Sequence, residues 1–337
     1  MKRILIVNAN WLGDVLFSTP AIRAIRKKYP ESFMACLAPA RVKEVLIHNP
    51  HLNEVMIVDD RADFFSLWRT PRVAAQIRKG NFDTAIFFHR SKTKVWLTAL
   101  AGIPERIGFE TPGKKKMLTQ TFAEPAKALH RIDHYLYLLQ KAGIPSDGRH
   151  LEYNPAPETE EALWKRIGRN EPYVVLHVGG NWELKRWPAE YFVEWIRLWR
   201  KEFREKIILC GTDAEIEIVD RICSNFSKDE VLSLCGKTSF DELACLLKNA
   251  HFLLSNDSGP IHLAATQKTK VLGIFGPTSP DITGPVSEAP VKILWKDVGC
   301  EVPCYYRVCH YRVCMDWIKP EEVFKKTKEL LQNEKCP

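Results

Sequence analysis

Residues 250–280 read AHFLLSNDSGPIHLAATQKTKVLGIFGPTSP, and this stretch decides the fold. It contains two short apolar runs, Phe252–Leu254 and Val271–Phe275, and each run is followed by residues that cannot continue a strand. A segment of helical character separates the two runs. The pattern predicts a βαβ unit whose polar residues lie at the carboxyl ends of parallel strands, where such folds bind their ligands.

The helix inside this unit, Ile261–Ala265, has a favourable start. Ser258 and Gly259 are suited to the N-cap position, and Pro260 is suited to the first helical turn. The N–H groups of the first turn have no partner within a helix, so they can bind an anion. The sequence therefore predicts a phosphate or diphosphate site at the start of this helix.

The same alternation of strands and helices recurs along the chain and predicts parallel sheets covered on both faces. A length of 337 residues favours two domains. We place them at residues 1–155 and 156–337, with Asn154–Pro157 as the linker. The predicted architecture is α/β, with two Rossmann-like, doubly wound domains facing one another across a cleft. The last helix, Pro320–Asn333, is a candidate to pack back against the first domain.

Charge is distributed unevenly between the two halves. Residues 1–155 carry 24 Lys and Arg against 14 Asp and Glu, a net +10, whereas residues 156–337 carry 25 against 27, a net −2. This favours an anionic partner for the first half. Nucleic acid, an anionic membrane surface and a phosphorylated substrate all fit, as do scattered solvated lysines. Because no apolar run approaches the length of a membrane span, we expect a cytoplasmic protein.

The segment Asn8–Asp14, which follows the first predicted strand, is interpreted as a loop that bears a functional carboxylate. Gly13 allows close approach of a ligand, Trp11 offers a flat apolar face for a sugar ring, and Asp14 can act as a general base. The alternative is that Asp14 caps the following helix, which Thr19 and Pro20 are predicted to open.

Two further groups are candidates for binding a diphosphate. Gly180 and Asn181 follow the strand Tyr173–Val178, and Lys185 comes shortly after, so that backbone N–H groups and one ammonium can meet phosphate oxygens. Lys185 as a solvated side chain is the alternative. Asp257 is expected to accept hydrogen bonds from sugar hydroxyls.

Several familiar signatures are absent from the sequence. Gly236-Lys237-Thr238 imitates the end of a P-loop, but the glycine that this motif requires earlier is Val231. No G-x-G-x-x-G motif follows a predicted strand, and no D-x-D motif occurs, so neither a dinucleotide cofactor nor a catalytic metal is predicted. Four cysteines, Cys300, Cys304, Cys309 and Cys314, form a local set for which a metal site, a redox bridge and a packed thiol cluster are the alternatives.

Five segments together resemble the lipopolysaccharide heptosyltransferases, family 9 of the glycosyltransferases, and the set of cysteines resembles heptosyltransferase II-type members. The segments extend over nearly the whole chain: residues 10–14 with 18–21, residues 177–180 with 185–188, residues 236–239, residues 256–264 and residues 275–278. The resemblance implies a GT-B fold, with an acceptor domain followed by a donor domain. It implies an inverting, metal-independent transfer of heptose from ADP-L-glycero-D-manno-heptose to the lipopolysaccharide inner core, without a cofactor.

The resemblance also implies roles for individual residues. Asp14 is the base that deprotonates the acceptor hydroxyl, and Lys185 holds the donor phosphates. The expected donor-binding residues are Gly180, Asn181, Lys185, Gly236, Thr238, Ser239, Asp257, Ser258, Gly259 and His262, and His262 alone could also be a packed structural residue. Besides Trp11 and Gly13, residues Arg90, Lys92, Lys94 and Lys114–Lys116 are expected to meet a phosphorylated, lipid A-linked acceptor at the inner membrane surface. The alternatives are a family member with another sugar nucleotide or acceptor, and a non-catalytic nucleotide-sugar-binding protein. Nucleic acid is not an expected partner.

Overall fold

The computed structural model describes residues 2–58, 66–110, 117–168, 171–304, 306 and 308–332, with the backbone alone for residues 66–70. Its contacts divide the chain into two compact units, Met1–Tyr153 and Asn154–Pro337. This division lies two residues before the predicted domain boundary. Within the described residues, no helix is both long enough and apolar enough to cross a membrane.

The first unit is a six-stranded parallel sheet with helices between its strands. The strands are ordered β3-β2-β1-β4-β5-β6. In chain order the elements are β1 Arg3–Val7, α1 Leu12–Phe17, α2 Thr19–Lys28, β2 Phe33–Ala38, α3 Lys43–Ile47, β3 Glu54–Ile57, α4 Ser66–Lys79, β4 Thr84–Phe87, α5 Lys92–Leu100, β5 Glu105–Phe109, β6 Gln120–Phe122 and α6 Arg131–Lys141.

The second unit repeats this plan with the strand order β12-β11-β10-β7-β8-β9, again with parallel pairs. Its elements are α7 Pro157–Ile167, β7 Tyr173–His177, α8 Ala189–Glu202, β8 Lys206–Cys210, α9 Ile216–Cys223, β9 Val231–Ser233, α10 Phe240–Lys248, β10 Phe252–Asn256, α11 Gly259–Thr266, β11 Lys270–Ile274, α12 Pro280–Thr283, β12 Val291–Leu294, α13 Val313–Asp316 and α14 Pro320–Gln332.

In each sheet the order in which successive strands are added reverses at one point. In the first unit the order reverses between β1 and β4, and in the second unit it reverses between β10 and β7. In open α/β sheets the crevice at such a switch point, outside the carboxyl ends of the strands, is the usual ligand site. We therefore expect the functional residues in the segments that follow β1, β4, β7 and β10.

The structure corrects the sequence-based interpretation of Asn8–Asp14 as a loop. Helix α1 begins at Leu12, so Asp14 lies in the first turn of a helix. Helix α2 begins at Thr19 itself, and its N-cap is Ser18 without a side-chain cap. Thr19 instead donates its hydroxyl to the carbonyl of Leu16 at 2.8 Å. Helix α1 escaped prediction because it has only six residues, too few for a helical period to be visible.

The core of the second unit explains the tryptophan-rich pattern of α8. Trp187, Trp195 and Trp199 are fully buried. The Trp187 indole donates to the carbonyl of Ile318, just before α14, at 2.8 Å, and the Trp195 indole donates to the hydroxyl of Thr327 within α14 at 3.3 Å. Helix α14 thus packs on α8 within its own unit. The predicted contact of this helix with the first domain stays a prediction.

Candidate active site

A buried ion pair lies at the carboxyl edge of the second sheet. Asp257 directly follows β10 and is 3% exposed. Its Oδ2 accepts hydrogen bonds from the Lys185 ammonium at 2.7 Å and from the Thr278 hydroxyl at 2.6 Å. Lys185 has three N–H donors, of which this contact uses one. The carboxylate therefore fixes the ammonium at the sheet edge, beside the start of α11.

A second buried network joins the segments that follow β7, β8 and β10. The imidazole of His177 lies with Nδ1 at 3.0 Å from the Ser258 hydroxyl and with Nε2 at 3.8 Å from Glu215 Oε2. Glu215 Oε1 in turn accepts the N–H of Gly180 at 3.0 Å. A Cβ added at Gly179 would collide with the Glu215 carboxylate. The close approach of this carboxylate thus requires glycine at position 179.

The electrostatics of this network follow from its burial. Burial lowers the pKa of His177 below its ordinary value, although the neighbouring Glu215 opposes the shift. Burial also acts to raise the pKa of Glu215, but His177 and the N–H groups of Thr212 and Gly180 outweigh it, so this pKa lies below its usual value. We infer a neutral imidazole beside an ionised carboxylate that backbone donors satisfy.

We expect the neutral state of His177 to make stability depend on pH. Below the ordinary histidine pKa of 6.5, the unfolded chain binds a proton at this residue that the folded protein does not. The free energy of unfolding should therefore decrease as the pH is lowered from 6.5 towards about 5. Urea unfolding at a series of pH values measures this, and His177→Gln should show a smaller decrease than the unsubstituted protein. An unchanged pH dependence in His177→Gln would contradict this.

The remaining predicted donor residues differ in their surroundings. Gly259 begins α11 with Ser258 as its N-cap, and His262 is buried in the same helix. Asn181 is exposed. The hydroxyl of Ser239 accepts the N–H of Glu242 at 3.1 Å in a capping box that starts α10.

The turn that precedes α10 carries two more of these residues. Gly236 is exposed and has a φ of +68°, a left-handed conformation that favours glycine, and a Cβ there would meet Asp213. Thr238 is partly exposed.

Gly180 is expected to bind the donor phosphates through its N–H group. In this structure that N–H donates to Glu215, so a phosphate contact would have to displace the Glu215 carboxylate. The roles of these residues in donor binding stay predictions.

In the first unit, Asp14 is paired with a cation that the sequence did not point to. Its Oδ1 lies 3.3 Å from Nε of Arg131, the first residue of α6. The Asp14 side chain keeps 28% of its surface exposed, so solvent and ligands can reach it. A neighbouring guanidinium stabilises the ionised carboxylate, which is the form that a general base requires.

The aromatic face predicted for sugar stacking is shared with an arginine. Trp11 is 55% exposed, and the Arg41 guanidinium lies 4.9 Å from its ring centroid. Arg41 also donates to the carbonyl of Asn10 at 2.8 Å. Gly13 lies in the first turn of α1, between Trp11 and Asp14. Any sugar that stacks on Trp11 therefore meets a cationic surface as well.

The cations predicted to meet the acceptor have different surroundings. Arg90 is 61% exposed and forms an ion pair with Glu124 at 2.6 Å, and Lys92 is exposed. Lys94 is only 5% exposed, and its ammonium donates to Oδ1 of Asn10 at 2.8 Å. It holds the segment that leads to Trp11, and this placement does not support direct acceptor contact. Lys114–Lys116 lie outside the described residues.

The sequence did not identify five residues of these networks as site residues: His177, Asn256, Thr278, Glu215 and Arg131. Asn256 joins β10 to the segment after β7, since its amide donates to the carbonyls of Val178 and Gly179 at 2.8 and 3.0 Å. Glu215 and Arg131 meet their partners only through the fold. Asn256 is next to Asp257 in the sequence, so its position could have indicated a role in the site. No feature of the sequence indicated such a role for Glu215 or Arg131.

A family model and several known proteins match this chain. A model of glycosyltransferase family 9 (heptosyltransferase) matches residues 70–312. The chain is 26% identical to lipooligosaccharide heptosyltransferase 2 of Campylobacter jejuni over 98% of this chain and 99% of that protein. Among solved structures, it is similar to ADP-heptose LPS heptosyltransferase II of E. coli, with a TM-score of 0.83, 21% identity and full coverage of both chains.

A family 9 glycosyltransferase from Veillonella parvula is similar in the same way, with a TM-score of 0.84, 23% identity and coverage of 98% of this chain and 97% of that one. These likenesses confirm the α/β, GT-B fold class predicted from the sequence. The family model covers well over half of the chain, so the resemblance to family 9 is confirmed too. The chain belongs to glycosyltransferase family 9.

Proposed function

We propose that this glycosyltransferase moves a heptose from ADP-L-glycero-D-manno-heptose to the inner core of lipopolysaccharide, with inversion and without a catalytic metal. The acceptor is Kdo2-lipid A or heptosyl-Kdo2-lipid A. The observation that carries the donor half of the proposal is the Lys185 ammonium, fixed by buried Asp257 next to the N-terminus of α11. A cation beside a helix N-terminus suits a diphosphate.

Each step of the transfer has a candidate group. Asp14, which is paired with Arg131, takes the proton of the acceptor hydroxyl as the hydroxyl oxygen bonds to the anomeric carbon of the heptose. The bond between that carbon and the diphosphate breaks, and ADP leaves with the electron pair. Lys185 and the N–H groups of α11 neutralise the charge that develops on the leaving diphosphate. The absence of a D-x-D motif from the sequence supports a transfer without metal.

The relatives support the choice of sugar. The proteins from Campylobacter jejuni and E. coli that this chain resembles are named as heptosyltransferases, and the E. coli structure is named for ADP-heptose. The decisive experiment incubates the protein with ADP-heptose and with acceptors that carry no heptose or one, and identifies the products by mass spectrometry. Addition of one heptose to either acceptor supports the proposal.

A family member that uses another sugar nucleotide is distinguished in the same assay. A panel of ADP-, UDP- and GDP-sugars is tested for protection against thermal unfolding and for turnover. Stronger protection and turnover by a sugar nucleotide other than ADP-heptose would overturn the choice of donor. Protection by ADP-heptose without turnover on either acceptor would favour a non-catalytic binding protein.

We further propose that the protein associates peripherally with the cytoplasmic face of the inner membrane, where its lipid-linked acceptor lies. One face of α5 supports this, because Lys92, Trp96 and Leu100 follow one another at helical spacing, and the two apolar side chains are 43% and 41% exposed. The neighbouring helix α4 exposes Arg72 and Arg78. Basic residues around an exposed tryptophan suit an anionic lipid surface.

Trp96→Ala is expected to weaken binding to vesicles that contain phosphatidylglycerol by roughly ten-fold, because the indole face no longer enters the interface. Turnover should fall for a lipid-linked acceptor and stay unchanged for a delipidated core oligosaccharide. Vesicle flotation and the two activity assays measure these effects. Trp295→Ala, at a tryptophan that is 38% exposed in the second unit, is the control and should bind vesicles normally. Equal vesicle binding by both variants and the unsubstituted protein would contradict this surface.

A further inference from the structure

Four cysteines converge on one small cavity in the second unit. Cys300, Cys304, Cys309 and Cys314 all line a cavity of about 40 Å³. Cys300 and Cys309 are exposed, and Cys304 and Cys314 are partly buried. We call residues 300–314 the cysteine segment. Its described part has no helix or strand until α13 begins at Val313.

These thiols differ from four of the other described cysteines of the chain, and the fifth, Cys223, is partly buried. Cys36, Cys210, Cys235 and Cys245 are at most 2% exposed and are scattered through the two units. Single buried thiols of this kind behave as small apolar side chains. The cysteine segment gathers its thiols at the surface instead, so packing of small apolar side chains does not account for them.

The spacing and the charges of the cavity suit a metal ion. Cys300 and Cys304 are separated by three residues, and Cys309 and Cys314 by four, which lies within the usual range for paired zinc ligands. Four thiolates around one divalent ion carry two net negative charges. Arg312 also lines the cavity and can compensate part of that charge, whereas Lys296, which lines it too, is already paired with Glu322.

We propose that Cys300, Cys304, Cys309 and Cys314 bind one divalent metal ion, zinc or iron, as a tetrahedral set of thiolates. Each thiol releases its proton to solvent as the sulfur bonds to the metal. Among the described residues, no three ligand side chains already have metal-binding geometry. The proposed binding therefore requires the exposed Cys300 and Cys309 to move towards the partly buried Cys304 and Cys314.

The position of the cysteine segment gives such an ion a structural role. The N–H of Cys304 donates to the carbonyl of Pro277 at 2.7 Å, next to Thr278. The guanidinium of Arg312 donates to the carbonyl of Arg186 at 2.6 Å, next to Lys185. The cysteine segment therefore binds the backbone next to each of the two residues, Thr278 and Lys185, that donate hydrogen bonds to Asp257. The ion restricts the motion of the cysteine segment and so stabilises these contacts. It takes no part in the transfer, so the inference does not depend on the proposed function.

The test uses the full chain, produced in medium that contains zinc and iron and purified without oxygen. Elemental analysis by mass spectrometry should find about one metal ion per chain, and it also shows whether that metal is zinc or iron. Cys309→Ser should lower the retained metal by about ten-fold or more against a competing chelator. Cys223→Ser, at a partly buried cysteine of α9 that does not line the cavity, should retain the metal like the unsubstituted protein.

A second measurement needs no variant. Alkylation of the unsubstituted, folded protein, mapped by peptide mass spectrometry, should label Cys300 and Cys309 slowly when metal is bound and quickly after chelation. The proposal is overturned if the purified protein neither contains nor takes up zinc or iron. It is equally overturned if these two thiols react at the same rate with and without metal, or if the four cysteines are found as disulfides.

Discussion

Asp14→Asn is expected to lower the rate of heptose transfer by about 10²- to 10⁴-fold, the usual contribution of a general base. The amide keeps the shape of the side chain but cannot take the proton of the acceptor hydroxyl. Binding of ADP should stay within about two-fold of the unsubstituted protein, because the predicted donor residues all belong to the second unit. Single-turnover kinetics with saturating ADP-heptose measure the first effect, and calorimetry measures the second.

The control for this substitution is Asp133→Asn. Asp133 is likewise a partly exposed aspartate of the first unit in an ion pair, with Arg149 at 2.9 Å. It should leave the rate of transfer nearly unchanged, which excludes a general effect of removing a charge from this unit. Normal turnover by Asp14→Asn would show that another group is the base. Loss of ADP binding together with turnover would show that Asp14 acts on the donor.

Lys185→Met is expected to lower both stability and donor affinity. It leaves the Asp257 carboxylate buried without its cation, and breaking a buried ion pair in this way usually costs about 3–5 kcal/mol in the free energy of unfolding. Lys165→Met is the matched control, since Lys165 and Glu161 form a pair at the same 2.7 Å but are 75% and 76% exposed. For Lys165→Met, the loss in the free energy of unfolding should stay below about 1 kcal/mol. Urea unfolding measures both values.

The double variant Lys185→Met with Asp257→Asn separates the two roles of the ammonium. Without a buried charge, most of the lost stability should return, whereas affinity for ADP should stay low because no cation meets the diphosphate. Calorimetric titration with ADP at a temperature where all variants are folded measures the affinity. If the double variant bound ADP and transferred heptose normally, Lys185 would serve only to neutralise Asp257.

The fold was largely predictable because its signals are local. Phe252–Leu254 and Val271–Phe275 were identified as strands by apolar runs that end in strand-breaking residues, and the structure places strands at Phe252–Asn256 and Lys270–Ile274. The helix between them begins at Gly259, as its capping residues indicated. Where short elements lack a period of their own, as in α1 and in the three-residue strand β6, the prediction failed.

The site was predictable only in part because its contacts are not local. Lys185 and Asp257 were both identified, but no pattern in the sequence showed that they form one ion pair. Lys94 looked like a surface cation, yet the fold turns its ammonium inward to Asn10. Glu215 reads as one more acidic residue at the start of a helix, and only the structure shows its carboxylate binding the N–H of Gly180.

The close approach of Glu215 to Gly179 has a consequence for the evolution of this site. Because a side chain at position 179 would occupy the space of the Glu215 carboxylate, that carboxylate would have to move, and we expect the two positions to vary together. Homologous chains that carry alanine in place of Gly179 should carry a shorter residue in place of Glu215, and an alignment of many such chains should reveal this covariation. A lineage that replaced Gly179 by alanine before it shortened the residue at position 215 would have passed through a destabilised protein. The alternative is that both substitutions were acquired together.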